Sequence, residues 1–438
     1  MPLEIAVSTQ RQILRFWLPL AASWALMSAE GPILQAVIAR LPDLQTQLAA
    51  FGIVMSVEIT VESPVIMLLA TSTALVAGAR SFRTLRRFMI GINVVVTILA
   101  AAVAFTPLFR VLVPGLMGIP PAIAAAAQPG MKIMTLWSAA IGWRRFNQGV
   151  LIRYGQTALV GYGTLARLVG SAGTGIALAL LTRLPGVALA AAGLMTGVVV
   201  EALFVARAVR PTVARIMGAP EKDGASVSLR EVVGYHTPLA ATSFLTLLQQ
   251  PLIGAGLARM PWPEQTLAAW PVVWGVLFIF RSPAFALPEA VIALVTERRL
   301  LDPVRRFCRR VGVVSTVGLA LVALTPAIDL YLAHVAGLPG RLASFVVPGL
   351  MLGAAIPLLN AWHSWFRGLL MAARSTPTIY RGMGLNLAVT TLAIAAGVLV
   401  GAPGVITAVS ALIASFVVEI AYLRARVTRL PAAAAAVV

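Results

Sequence analysis

Residues 15–22 read Arg15-Phe16-Trp17-Leu18-Pro19-Leu20-Ala21-Ala22, and the last four return as Pro238-Leu239-Ala240-Ala241 at an offset of 219 residues. The same offset carries Pro32 to Pro251, Arg40-Leu41-Pro42 to Arg259-Met260-Pro261, and Leu48-Ala49-Ala50 to Leu267-Ala268-Ala269. It also carries Ser63-Pro64 to Ser282-Pro283, Arg86-Arg87-Phe88 to Arg305-Arg306-Phe307, Trp143 to Trp362, Gly149 to Gly368 and Thr157 to Thr376. One deletion later, Val199-Val200-Glu201 meets Val417-Val418-Glu419. Runs of Ala, Leu and Val match by chance, but Pro, Trp, Gly and Arg held in one register do not. The chain therefore reads as two related halves, residues 1–210 and 230–438, joined by a linker at 211–229.

Each half is built for lipid. Of 438 residues, 59% are hydrophobic and 11% charged, against about 45–50% and about 25% in a soluble domain. The mean hydropathy is +0.91. A soluble enzyme, a disordered chain and a disulfide scaffold are excluded, the last because Cys308 is the one cysteine. A helix needs about 20 apolar residues to cross a bilayer core of about 30 Å. That ruler gives six spans in the first half, at 13–39, 48–77, 88–111, 130–152, 157–181 and 185–208. It gives six more at 232–258, 267–296, 307–334, 345–372, 378–400 and 403–423. The N-terminus lacks the pattern of a cleaved signal, so its first apolar stretch is expected to stay as a span.

The net charge is +19. The arginines lie between apolar stretches rather than in a stripe, which points to membrane topology and away from nucleic acid. Arg80, Arg83, Arg86 and Arg87 follow the second span, and Arg298, Arg299, Arg305, Arg306, Arg309 and Arg310 follow the eighth. Arg207, Arg210, Arg215, Lys222 and Arg230 fill the linker, and Arg424, Arg426 and Arg429 the tail. The alternate loops carry few cations, so the linker and both termini are expected to be cytoplasmic. The preference for Arg over Lys, with much Ala, points to a GC-rich bacterial genome and hence a bacterial inner membrane. Six spans per half is an even number. The repeat is therefore parallel, about an axis along the membrane normal, with a substrate path expected between the halves.

With its two six-helix halves, the segments Arg15-Phe16-Trp17-Leu18-Pro19-Leu20, Leu48-Ala49-Ala50-Phe51-Gly52 and Ser63-Pro64, the chain resembles the MOP flippase/exporter superfamily. That superfamily includes the multidrug MATE antiporters, the lipid-linked-oligosaccharide flippases and the progressive ankylosis (ANK) proteins. The stretch from Gly404-Val405 to Glu419 is also similar to the last span of ANK-like members. The resemblance implies a twelve-helix, all-α, V-shaped transporter working by alternating access, and suggests a phosphate-rich or carboxylate anion as cargo.

A charge at the centre of a span costs about 2.5–3.5 kcal/mol on insertion scales, so each needs a reason. Residues matched across the repeat are expected to be scaffold: Glu201 with Arg167 inside the first lobe, and Glu419 with Asn386 inside the second. Residues that break the symmetry are candidates for function. Glu30 stands opposite Gln249 in the repeat, Glu58 opposite Leu277, and Glu62 opposite Arg281. Glu58 and Glu62 are four apart and share a helix face, where their repulsion is relieved when one holds a proton. Glu30, Glu58 and Glu62 are therefore expected to carry the coupling proton, with a Glu62–Arg281 latch as the structural alternative. Arg281 is expected to bind an anion, with Arg144 and Arg145 of the fourth span and Asn360, His363 and Arg367 of the tenth. The last three fall at i, i+3 and i+7, and arginine forks suit carboxylate and phosphate. Snorkelling to the headgroups is the alternative for the arginines nearer the cytoplasm. His236 and His334 fall at span ends, and Glu289 has no evident partner.

The chain has no Gly-rich phosphate loop, no metal-ligand spacing and no Ser/His/Asp set on one membrane face, so no enzyme activity, cofactor or metal is expected. The expected function is secondary active transport of small organic or phosphorylated anions by a monomer, with a proton or sodium ion as coupling partner. A lipid-linked substrate flippase and a MATE-type cation antiporter are the rival readings.

Overall fold

Lipid cannot hydrogen-bond a peptide group, so a chain this apolar must satisfy its backbone within each segment. The computed structural model describes residues 10–219, 227–295, 300–373 and 375–428. Among these the regular structure is helical throughout. Lys222, Arg298, Arg299 and Arg429 lie outside the described residues.

The first span is α1 (Gln10–Ile38). The second is broken into α2 (Leu44–Val61), α3 (Ser63–Ile66) and α4 (Leu68–Leu75). The third is α5 (Ala79–Phe105). In the fourth, a 3-10 turn joins α6 (Pro121–Ile133) to α7 (Trp137–Arg153). α8 (Thr157–Leu181) and α9 (Gly186–Ala208) complete the half. The second half repeats the plan. α10 (Leu229–Leu247) and α11 (Gln249–Leu257) form the seventh span. α12 (Pro263–Arg281), a 3-10 turn at Ser282–Ala286 and α13 (Leu287–Leu294) form the eighth. α14 (Leu301–Ala323) is the ninth, and α15 (Gly340–Gly353) with α16 (Ile356–Ala372) the tenth. α17 (Thr376–Leu399) and α18 (Gly404–Val427) are the last two.

Among the described residues, and by length and apolarity alone, seven helices can cross a membrane, or nine when two bent pairs are each counted as one span. The other three segments carry polar residues in mid-course: α1 with Arg15 and Glu30, the fourth span with Arg144 and Arg145, and the seventh with Gln249 and Gln250 at its break. The breaks in the second and eighth spans fall at Ser63-Pro64 and Ser282-Pro283, where proline removes a ladder donor and crowds the preceding turn. Large apolar side chains lie exposed together in the middle of α5, at Val94 (52% exposed), Val95 (64%) and Ile98 (64%), a face suited to lipid.

The backbone carries the repeat as plainly as the sequence does. Asp43 and Trp262, 219 residues apart, precede α2 and α12 with φ of 55° and 51°, a left-handed conformation uncommon outside glycine. Gly118 and Gly337 share φ of 71° and 70° at the same offset. Each follows a short π-helical stretch, Val111–Leu116 in one half and Tyr331–Val335 in the other. Gly149 and Gly368 have one reason for being glycine. A Cβ on Gly149 would meet Ser72 and lie 2.5 Å from the Leu69 carbonyl oxygen. On Gly368 it would lie 2.7 Å from Val291 Cβ. Ser72 and Val291 are themselves repeat mates, so the fourth and tenth spans lean on the second and eighth in the same way.

Packing divides the chain elsewhere than the linker. One compact unit takes the described residues of Met1–Pro32 and Arg259–Val438, and the other is Ile33–Ala258. In the first unit Trp17 Nε1 donates to the Pro283 carbonyl at 3.1 Å and its ring meets Phe307 edge-on. Ile13, Trp17 and Ala21 are buried with Leu287, Val291 and Phe307 in one apolar cluster. In the other unit, His236 of α10 is clasped by the broken second span, its Nδ1 2.9 Å from Thr71 Oγ1 and its Nε2 3.0 Å from the Pro64 carbonyl. Relative to the repeat halves, the first and seventh spans have thus exchanged most of their packing.

Candidate functional site

Inside the unit Ile33–Ala258, Glu201 of α9 is fully buried and receives a ring of donors. Arg144 Nη1 approaches Oε2 at 2.7 Å, Gln148 Nε2 reaches Oε1 at 3.0 Å, and Arg167 Nη1 stands 3.9 Å from Oε2. Arg144 and Gln148 are four apart on α7 and so lie on the face turned to α9. The expected Glu201–Arg167 pairing is present, and Arg144 is the stronger partner. Trp137, two turns before Arg144 on α7, donates Nε1 to Glu62 Oε2 and lies 5.4 Å below the Arg167 guanidinium. Glu62 is thereby held by an indole. Glu58 is 1% exposed, and its Oε2 has no hydrogen-bond partner. Arg145 is half-buried with its Nε unpaired.

The other unit contains the repeat counterpart of this network. Glu419 of α18 accepts from Asn386 Nδ2 at 2.8 Å, as expected, and its Oε1 lies 2.8 Å from His363 Nε2. His363 is 219 residues after Arg144, and Asn386 is 219 after Arg167. One scaffold is thus filled twice, with two permanent cations around Glu201 and with a titratable ring and a neutral amide around Glu419. Arg367 lies one turn beyond His363 on α16.

Arg281, at the C-terminal end of α12, is placed differently. It is 7% exposed, and its guanidinium carbon lies 5.1 Å from the Trp274 ring centre, 5.5 Å from Phe285 and 5.1 Å from Phe416. Its polar contact is a long one, Nη2 to Asn360 Oδ1 at 3.4 Å, and Asn360 Nδ2 returns to the Arg281 carbonyl at 3.4 Å. Nε and Nη1 are buried and make no hydrogen bond. A guanidinium presents five donors along two fork-shaped edges, one using Nε with Nη2 and the other using Nη1 with Nη2. A single Asn360 oxygen can occupy one edge, which leaves the other open to a carboxylate or similar oxyanion.

The expected site residues therefore separate. Arg281 and Asn360 meet directly, and His363 is one turn further along α16. Arg144 is committed to Glu201. Glu58 and Glu62 lie in one unit and Glu30 in the other. The sequence reading did not identify Trp137 as the partner of Glu62, nor the aromatic cage of Arg281. The Arg144-to-His363 correspondence, however, was open to the 219-residue offset.

The fold is that of the MATE/MOP-superfamily transporters, multi-pass membrane proteins of twelve spans in two lobes. An inward-facing multidrug-resistance MATE transporter superimposes with a TM-score of 0.71 at 14% identity, covering 98% of this chain and 96% of that one. The lipid II flippase MurJ in its inward closed form gives 0.72 at 12% identity over 94% and 88%. A MOP-superfamily transporter from Pyrococcus furiosus gives 0.67 at 15% identity, covering 96% of each chain. That protein is described by the reverse polarity of its binding pocket, from which a different function was suggested. No family model matches the chain, and no curated protein sequence matches it.

Proposed function

We propose that this protein is a secondary active transporter that exports small organic or phosphorylated anions from a bacterium by alternating access, held in the inner membrane as a monomer with both termini cytoplasmic. The observation that carries the reading is Arg281. A guanidinium buried among three rings, with Nε and Nη1 unpaired, is costly to maintain unless a ligand completes it. The rings favour an anion with an apolar or planar body. Asn360 orients the fork, and Arg367 of the same unit adds to the positive charge; Arg144 and Arg145 are candidates for anion binding in the other unit. A proton is the coupling ion on this reading. Glu58, with a buried unpartnered oxygen, is its foremost carrier in the first half, alongside Glu62 and Glu30. The likeness to the lipid II flippase favours one second reading, in which the anion is a lipid-linked phosphate.

The test is transport by purified protein in vesicles, with benzenesulfonate, succinate, inorganic pyrophosphate, ethidium and a fluorescent polyprenyl diphosphate offered separately. An anion should move and ethidium should not. Arg281→Ala should cut anion binding by at least tenfold, because a charged hydrogen bond to a buried fork is worth about 1.5–3 kcal/mol. Arg281→Lys should recover part of it, through its charge without its fork. Uptake of ethidium with indifference to Arg281→Ala would overturn the reading. Movement of the polyprenyl diphosphate alone would select the flippase.

A further inference from the structure

We infer that His363 and Glu419 form a proton-binding site inside the second half, and that occupancy of Arg281 controls it. The inference rests on the anion site proposed above. It starts from the two glutamate hubs. In the first half Glu201 is neutralised by Arg144 at 2.7 Å with Arg167 behind it, and no change of cellular pH alters those charges. In the second half the same two positions are His363, 2.8 Å from Glu419, and Asn386, also at 2.8 Å. Histidine is the side chain whose charge changes near neutral pH. Replacing one arginine by histidine and the other by an amide turns a fixed ion pair into one that gains or loses a proton. His363 Nε2 and Glu419 Oε1 stand 2.8 Å apart with neither atom in another hydrogen bond, so a proton taken up by the ring makes an imidazolium–carboxylate pair there.

The same two helices connect this pair to Arg281. On α16, Asn360 touches Arg281 and His363 lies three residues on. On α18, Phe416 packs on Arg281 at 5.1 Å and edge-on to the His363 ring at 5.4 Å, and Glu419 lies three residues on. Arg281 and His363 are therefore within about 11 Å of one another across a single phenyl ring. At an effective dielectric of about 20, like charges at that separation oppose each other by a factor on the order of ten in an equilibrium constant. An anion on Arg281 removes the opposition. Anion and proton thus help each other to bind by the same factor, as linkage requires.

Arg367 on α16 itself and Glu289 of α13 carry charge that does not depend on whether Arg281 is occupied, so the sign of the linkage stands. Cys308 of α14 lies in the apolar cluster with Ala361 and Trp365.

Benzenesulfonate is the probe, because it brings no proton of its own in the working range. In vesicles with a pH dye in the lumen, its flux through the wild-type protein should carry protons in the same direction, so that export on this linkage runs down the anion's own gradient. Its binding should tighten as pH falls from 8 to 6, by at most about tenfold. His363→Gln and Glu419→Gln should flatten the pH dependence of anion binding and lower the number of protons carried per anion, whatever they do to the flux itself. Unchanged proton movement and pH dependence in His363→Gln would overturn the inference, even with anion transport confirmed.

A measurement without ligand separates the two claims. Carbon-13 labelling of the three histidines, with His363 assigned by its loss in His363→Gln, reads its protonation directly. At pH 7 more of it should be protonated in Arg281→Met than in wild type. A His363 signal blind to Arg281→Met would sink the proton site whether or not any anion binds. A responsive His363 in a protein that binds no anion would sink the anion reading alone.

Discussion

Removing the carboxylate charge at Glu201 and at Glu419 should have unequal consequences, although the two residues are repeat mates in equivalent packing. Glu201→Gln deprives Arg144, at 2% exposure, of the carboxylate it bonds at 2.7 Å, and an arginine does not shed its proton. Breaking a buried pair in this way costs about 3–5 kcal/mol. At about 2–4 °C per kcal/mol for a body of 150–250 residues, the unfolding midpoint should fall by about 10 °C. Glu419→Gln removes the partner of a histidine that can go neutral and of an amide that was never charged. What remains is roughly the loss of one or two ordinary hydrogen bonds, about 1–2 kcal/mol, and a fall of a few degrees. Heating the detergent-solubilised protein and measuring the surviving monodisperse fraction reads both midpoints. Arg144→Gln added to Glu201→Gln should restore part of the loss, with a coupling of about 0.5–3 kcal/mol. Equal falls for the two glutamates, or a neutral Glu201→Gln, would refute the argument that the first hub is a fixed ion pair and the second is not.

Further outcomes follow from the same geometry. Gly149→Ala and Gly368→Ala should each lower the midpoint through overpacking of about 1–3 kcal/mol, because the new Cβ meets the Leu69 carbonyl or Val291. Gly161→Ala, with nothing within 4 Å of the added carbon, should raise it slightly. His236→Ala should strip the Pro64 carbonyl of its donor at a cost of about 1–3 kcal/mol, seen as faster hydrogen exchange through α10 and the broken second span. The start of α10 should loosen in acid. Glu231 accepts from the Ser228 backbone N–H at 2.7 Å and from its hydroxyl at 2.8 Å, and these bonds hold its carboxyl below the ordinary 4.5. A depressed acid stabilises the fold above its unfolded value and loses that contribution as pH falls through the folded one. Protection of Leu229–Val232, taken relative to the intrinsic exchange rate at each pH, should therefore fall below about pH 4.5, and Glu231→Gln should remove that fall.

The sequence by itself determined the fold class, because two constraints read directly along the chain. Lipid demands about 20 apolar residues per crossing, and a duplicated plan leaves its prolines, glycines and tryptophans at one offset. The Glu201–Arg167 and Glu419–Asn386 contacts were legible for a related reason, since equal depth in neighbouring antiparallel spans places side chains together. Depth does not say which way a helix is turned about its own axis, and each residue of rotation swings a side chain by about 100°. Tertiary structure alone therefore decided that Arg144 faces Glu201 and that Trp137 reaches Glu62. It also decided how packing exchanges the first and seventh spans, since broken helices can lean on either half. The cage of Arg281 lay furthest from the sequence. Trp274, Phe285, Asn360 and Phe416 come from four segments, and only their packing leaves a buried cation with donors to spare.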